Sequence, residues 1–397
     1  MKTNQAPVSQ HQGGFNMKRN IGLTALLAAL TFCATLSGCG STETSASDTT
    51  ANTEVTAEAA AESDADKAEK DDDRPGDPPD GEKPDSKPDG EKPDGEKPDA
   101  PPDGKGGGGN PPGGGLGGSS ADIDYTASVE ISSADTQSGK TYNSSAADES
   151  ALLISASDAV TIDSPTVTKA GDSDGGDSCN FYGLNAAVLV KDGASAAITG
   201  GTVTSDADGA NGVFCYGGNG GQNGASGDGT TLTIRDTAIK TTGDGSGGIM
   251  TTGGGITYAY DLDVDTSGRS SAAIRTDRGG GTVYVNGGTY ISNGLGSPAI
   301  YSTAEIHAEN AELTSNLSEG VCIEGKNSIE LTNCNMTANN TKCNGNATFF
   351  DTIMIYQSMS GDADSGTSSF TMNGGTLTSK NGHVFHVTNT NAVINLN

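Results

Sequence analysis

From Ala159 to the last residue, one short arrangement of apolar and polar positions is written eight times. Each copy reads apolar, any, two small or turn residues, any, apolar, often followed by a hydroxyl residue. The copies occupy residues 162–167, 198–203, 234–239, 259–264, 285–290, 308–313, 331–336 and 372–377. Their closing apolar positions therefore step by 36, 36, 25, 26, 23, 23 and 41 residues. A period in the low twenties, lengthened in places by loop insertions, is the mark of a solenoid. Val, Ile, Thr and Tyr alternate over four or five positions, which suits half-buried strands. Gly-Gly, Asn-Gly or Asn-Cys between two apolar positions bends the chain within two or three residues. No stretch shows a sustained helical period. The pattern predicts strand, bend and strand in every coil, and so an all-β parallel β-helix whose coils are stable only when stacked.

A second motif follows each copy, by roughly ten residues in the middle coils, as in Gly247-Gly-Ile-Met-Thr251, Ala272-Ala-Ile-Arg-Thr276 and Pro298-Ala-Ile-Tyr-Ser302. It predicts another strand of the same coil. Its middle apolar position runs Val188, Phe214, Ile249, Ile274, Ile300, Cys322, Met354, Val384. If that column points inward, alternation sends the next one outward: Leu189, Cys215, Met250, Arg275, Tyr301, Ile323, Ile355, Phe385. An outward stripe this apolar is expected to be a contact surface, with Met250, Arg275, Tyr301 and Phe385 as candidate binding residues. Two other readings compete. The register slips by one residue in some coils, or long loops near residues 217–228 and 340–350 cover the stripe.

Over roughly residues 125–397 these repeats resemble the right-handed parallel β-helix proteins of the pectin-lyase-like group. That resemblance implies the fold. It leaves activity open, because the group contains polysaccharide lyases and hydrolases as well as bacterial surface adhesins. The group's catalytic patterns are mostly missing. There is no tryptophan for the Trp-Ile-Asp-His signature of pectate lyases, and the Gly-His-Gly and Arg-Ile-Lys of polygalacturonases do not occur. Arg275, Asp277 and Arg278 offer an arginine beside a carboxylate, as a lyase or methylesterase would need; an outward strand charge is the simpler reading of Arg275. Tyr258, Tyr260, Tyr301 and Tyr356 are the few aromatic side chains that could face a sugar.

The rest of the chain reads differently. Met17-Lys-Arg-Asn is a basic start, and the apolar run from Ile21 to Phe32 has secretory length, too short to span a bilayer as a mature helix. Residues 1–16 lack signal character, which makes Met17 an alternative start. Leu36-Ser-Gly-Cys39 resembles the lipobox of bacterial lipoproteins, which implies cleavage before Cys39 and lipidation of its sulfur. Residues 1–39 are thus read as a leader. Residues 40–120 form an acidic, Pro/Gly-rich tether with a repeated Lys-Pro-Asp, too poor in apolar side chains to fold. Its proline part should be extended at ~3.1 Å per residue. Residues 121–397 are the β-helix domain, expected either to be truncated at its C-terminal end, with the natural protein continuing beyond it, or to be open there. Ile394 there would begin a ninth copy that the last residue, Asn397, interrupts, and an uncovered end invites self-association.

The formal net charge is −29. From Ala121 onward, 11 Lys and Arg face 30 Asp and Glu, so the domain itself carries −19. Nucleic acid is excluded as a partner by repulsion, and anionic polymers are disfavoured unless metal bridges the charges. Asp172, Asp174 and Asp177 share a glycine-bearing loop whose oxygens suit calcium; the loop lacks a distal glutamate, and a solvated acidic loop is the competing reading. No other cofactor is expected. His383 and His386, three apart on a strand, point to opposite faces and share no metal. Residues 214–228 read as a surface flap. Five cysteines follow Cys39, an odd number. Cys179 and Cys215, 36 apart, fall on neighbouring coils as either a disulfide or apolar fillers.

The expected protein is a lipid-anchored β-helix on the extracellular face of a bacterial envelope. Its expected role is that of a non-catalytic adhesin binding a glycan or a surface protein. The alternatives are a surface polysaccharide lyase or hydrolase, with or without calcium, and a purely structural spacer.

Overall fold

A computed structural model describes residues 123–220, 226–343, 347, 349–358 and 361–397. The leader, Cys39 and the tether lie outside the described residues. The described chain winds into ten coils of a parallel β-helix, the last incomplete. Each full coil gives one strand to each of three stacks. The first stack is a ten-stranded sheet from Thr126–Ile131 to His383–Thr388. The second and third stacks together form a 17-stranded sheet, joined where Ser328–Asn339 and Thr367–Asn381 run through the bend. Coil-to-coil pairing is parallel throughout, as between Ser195–Thr199, Thr231–Arg235 and Ile256–Tyr260.

The eight-fold pattern becomes two columns of rungs. Ile162, Ile198, Ile234, Ala259, Val285, Ala308, Leu331 and Met372 pair in register up the second stack. Val167, Val203, Ile239, Val264, Tyr290, Leu313, Met336 and Leu377 do the same in the third. All but Leu377 are buried, in one continuous core along the axis. Between the columns sits a bend residue with φ near +50 to +76°: Ser164, Gly200, Asp236, Asp261, Gly287, Asn310, Asn333 and Gly374. Glycine, Asn and Asp tolerate that left-handed conformation best, which is why the two central pattern positions are small or turn-forming.

Two coils escaped the pattern. The first runs from Thr126–Ile131 through Asp135–Ser138 to Thr141–Ser144. Gln137 stands on the rung of Ile162 there, and Tyr142 on that of Val167. The Tyr142 hydroxyl donates to Gln137 Oε1 at 2.5 Å, so a polar side chain is satisfied at an apolar position. At the far end Leu396, not Ile394, pairs with Met372. Ile394 lies on the rung of Phe370, one inward position earlier.

The first stack corrects the expected columns. Val188, Val213, Ile249, Ile274, Ile300, Val321, Ile353 and Phe385 share one column. The neighbouring column is Leu189, Phe214, Met250, Arg275, Tyr301, Cys322, Met354 and His386. Cys215, Ile323 and Ile355 therefore point inward, and Phe385 packs against the main core. The outward apolar stripe exists but is covered. Toward the N-terminal coils, Leu189, Phe214 and Met250 form a second core with Phe181 and Tyr182. Those two belong to the short helix Asp177–Tyr182, an element without a periodic signal. Gly183, at φ +79°, closes the helix over the sheet, and a Cβ there would lie 2.9 Å from the Phe214 ring. Toward the C-terminal coils, Cys322, Met354 and Tyr356 form a third cluster with Tyr301 and Ala347.

Candidate functional site

Met250 is 1% exposed. Burial of such a side chain stabilises by roughly 1.5–3 kcal/mol, so it serves the second core rather than an open face. Arg275 is a half-buried cation whose Nε donates to Asp277 Oδ2 at 2.9 Å, with Nη2 on the same oxygen. Its guanidinium also lies 5.1 Å from the Tyr301 ring centre. Tyr301 donates its hydroxyl to Glu324 Oε2 at 2.7 Å, and Tyr356 donates to the same atom at 3.1 Å. Burial pushes the Asp277 carboxyl up to about 6, against the pull of Arg275 and with added repulsion from Asp362. The Arg278 guanidinium lies 4.2 Å over the Phe181 ring and pairs with Asp362, so it ties the helix-bearing loop to the loop before Thr367–Asn381. The four predicted binding residues thus do not share an exposed surface. Arg275 and Tyr301 sit in a buried polar network, and Met250 and Phe385 in apolar cores.

The acidic loop is also not a cage. Asp172 Oδ1 accepts from the Asp208 N–H at 2.9 Å, Asp208 Oδ1 from the Asp244 N–H at 2.7 Å, and Asp244 Oδ1 from the Arg269 N–H at 2.8 Å. Each carboxylate satisfies the turn of the next coil, which is a structural use of its charge. Asp177 instead opens the short helix. Among the described residues, no group of three or more His, Cys, Asp or Glu side chains could hold a metal ion. Residues 214–216, the first three of the expected flap, lie in the buried strand Val213–Tyr216. The five described cysteines are free thiols, with Cys179 on the short helix and Cys215 in the core. His383 and His386 both touch Phe349, at 4.6 and 4.3 Å between ring centres, and His386 Nδ1 lies 2.9 Å from Asp351 Oδ2.

The exposed chemistry is on the outer face of the second stack. Tyr258, Tyr284 and His307 stand on successive rungs of Ile256–Tyr260, Thr282–Asn286 and Glu305–Glu309. Their rings stack at 5.2 and 5.1 Å between centres, tilted by only 10° and 11°. Tyr284 is 41% exposed, unusual for a large aromatic side chain with no cover. Burial, then Glu305 and Tyr258, raise its phenol pKa, so it stays a hydrogen-bond donor at neutral pH. Among the described residues, no protein group bonds to the hydroxyl of Tyr258 or Tyr284. The imidazole of His307 lies 2.8 Å from Glu305 and 3.3 Å from Glu330. Two residues further along each strand stand Tyr260, Asn286 and Glu309, with the Arg235 guanidinium 3.8 Å from the Tyr260 ring. The two columns enclose a recess of about 210 Å³.

On the other side of the aromatic ridge, a trench of about 710 Å³ follows the corner between the first and second stacks. Gly254, Gly280 and Gly281 contribute no side chains to it, and Thr282, Thr303 and Glu305 line it. The sequence reading named Tyr258 and Tyr260 but passed over Tyr284 and His307. The signal was available: each ridge residue immediately precedes the first apolar position of its copy. Comparison with protein families, with curated proteins and with solved structures found no match to this chain.

Proposed function

We propose that this chain is a lipid-anchored, cell-surface β-helix protein that binds a glycan or a surface protein without catalysing a reaction. The exposed ridge Tyr258–Tyr284–His307 carries the reading. Outward positions of a solenoid do not need aromatic side chains, and two unpaired phenol hydroxyls beside a recess suit recognition. The lipobox at Cys39 and the tether support display at a membrane. Arg275, bound through two nitrogens to Asp277, is poorly placed to act as a base, which weighs against a lyase. The test is an array of glycans and surface proteins probed with the full chain and with Tyr258→Ala/Tyr284→Ala. Selective loss of a ligand by the double variant supports the reading. Turnover of any polysaccharide, with or without calcium, would replace it with the enzymatic one.

A further inference from the structure

The trench and the ridge belong to one face. Ile256, Thr282, Glu305 and Ser328 share a column up the second stack, and Tyr258, Tyr284, His307 and Glu330 form the next outward column on the same strands. All four residues of the first column line the trench. It extends from Thr230 to Ser328, five coils of the helix. At ~4.8 Å between neighbouring strands, four steps span about 19 Å. Its axis is the axis of the solenoid, so it suits an extended chain lying across the coils rather than a compact small molecule.

The chemistry of its walls narrows the occupant. Lys326 is paired with Asp364 at 2.9 Å, and Glu305 with His307 at 2.8 Å. The trench therefore offers no uncompensated cation for a carboxylated or sulfated polymer, and Glu309 and Glu330 beside the ridge would repel one. What remains is hydroxyl and amide chemistry. Thr282 and Ser328 contribute hydroxyl side chains to the trench, and Asn327 an amide. The glycine floor lets a flat ring approach the backbone. The ridge adds apolar ring edges and two phenol donors along one flank.

We infer that the trench binds an extended, uncharged polysaccharide that lies parallel to the solenoid axis against the Tyr258–Tyr284–His307 ridge. This rests on the binding reading above and gives it a ligand class and a direction. The experiment titrates the full chain by calorimetry with neutral gluco-, xylo- and manno-oligosaccharides of two to eight units. Polygalacturonate and chitosan serve as anionic and cationic comparators. Affinity should rise with chain length and then level off once the trench is filled. Thr282→Tyr, which fills the trench from an outward position, should weaken binding at least tenfold, and Tyr284→Ala about tenfold. Thr161→Tyr, on the same face four coils before Thr282 and Tyr284, should leave it unchanged. All three variants should keep the wild-type thermal midpoint. Neutral oligosaccharide binding that ignores both Thr282→Tyr and Tyr284→Ala would overturn the site. Binding of only a protein or a charged glycan, abolished by the same variants, would overturn the ligand class and leave the binding face standing. Failure to bind anything on the panel or the arrays would overturn both.

Discussion

At Asp277, burial and pairing pull in opposite directions. The carboxylate is 1% exposed and gripped by Arg275, yet burial wins and its pKa rises to about 6. The unfolded value is near 3.8. Between those two pH values the folded chain holds a proton that the unfolded chain has released. This group's contribution to stability is therefore full below pH 4 and is lost as pH rises through 6. Asp277→Asn should flatten that part of the stability profile, which thermal midpoints of both proteins from pH 4 to 7 would show. An unchanged slope would mean that Arg275 holds the carboxylate ionised after all. Tyr290 makes a different point. Its ring is fully buried on a core rung, and its hydroxyl has no partner among the described residues. Tyr290→Phe removes a desolvated hydroxyl, so denaturant unfolding should show unchanged stability or a gain of up to about 1 kcal/mol. A loss of stability instead would reveal an ordered water at the hydroxyl.

A single strand–bend–strand unit explains both what the sequence disclosed and what it hid. In the second and third stacks one face is core and the other is solvent, so alternation survives; Ala159–Asp163 alternates exposed and buried at every residue. The bend adds a demand for positive φ, and Asn310 and Asn333 meet it with φ of 56° and 51°. Asn333→Val should cost about 1–2 kcal/mol, the penalty of a β-branched side chain in a left-handed turn. Asn333→Gly should stay within a few tenths; denaturant midpoints check both. In the first stack, by contrast, both faces are covered. Val213–Tyr216 and Ile249–Thr252 are buried at all four positions, so a period of two leaves no trace. Phe214 and Cys215 are both apolar, and nothing in their order says which points inward. That ambiguity is what displaced the column by one residue and placed Phe385 on the outside. The ridge is legible once outward positions are aligned beside the apolar ones, because Tyr258, Tyr284 and His307 hold one offset from the repeat.

Across the molecule, the coils differ in their loops and agree in their rungs. Steps of 23 and of 36 residues give the same paired registers, so the added residues leave the core unchanged. At the tenth coil, strands His383–Thr388 and Asn391–Leu396 each pair on one side only. Val387, Val393 and Leu396 are 42%, 49% and 58% exposed. A polypeptide ending at Asn397 should associate through these edges as its concentration rises. Sedimentation would show it, and Val393→Lys with Leu396→Lys should reverse it. A monomer at every concentration would rule out this contact.

Parallel pairing at a fixed pitch has a further consequence. The ridge and the trench are read out one ring and one rung per coil, and each of those coils is encoded by about two dozen consecutive codons. In-frame duplication of that segment by unequal recombination would add a tyrosine to the ridge and about 4.8 Å to the trench, with no redesign of the core. Loss of a segment would shorten both. If the trench binds a polymer as inferred, the length it grips is a heritable count, open to change in whole coils.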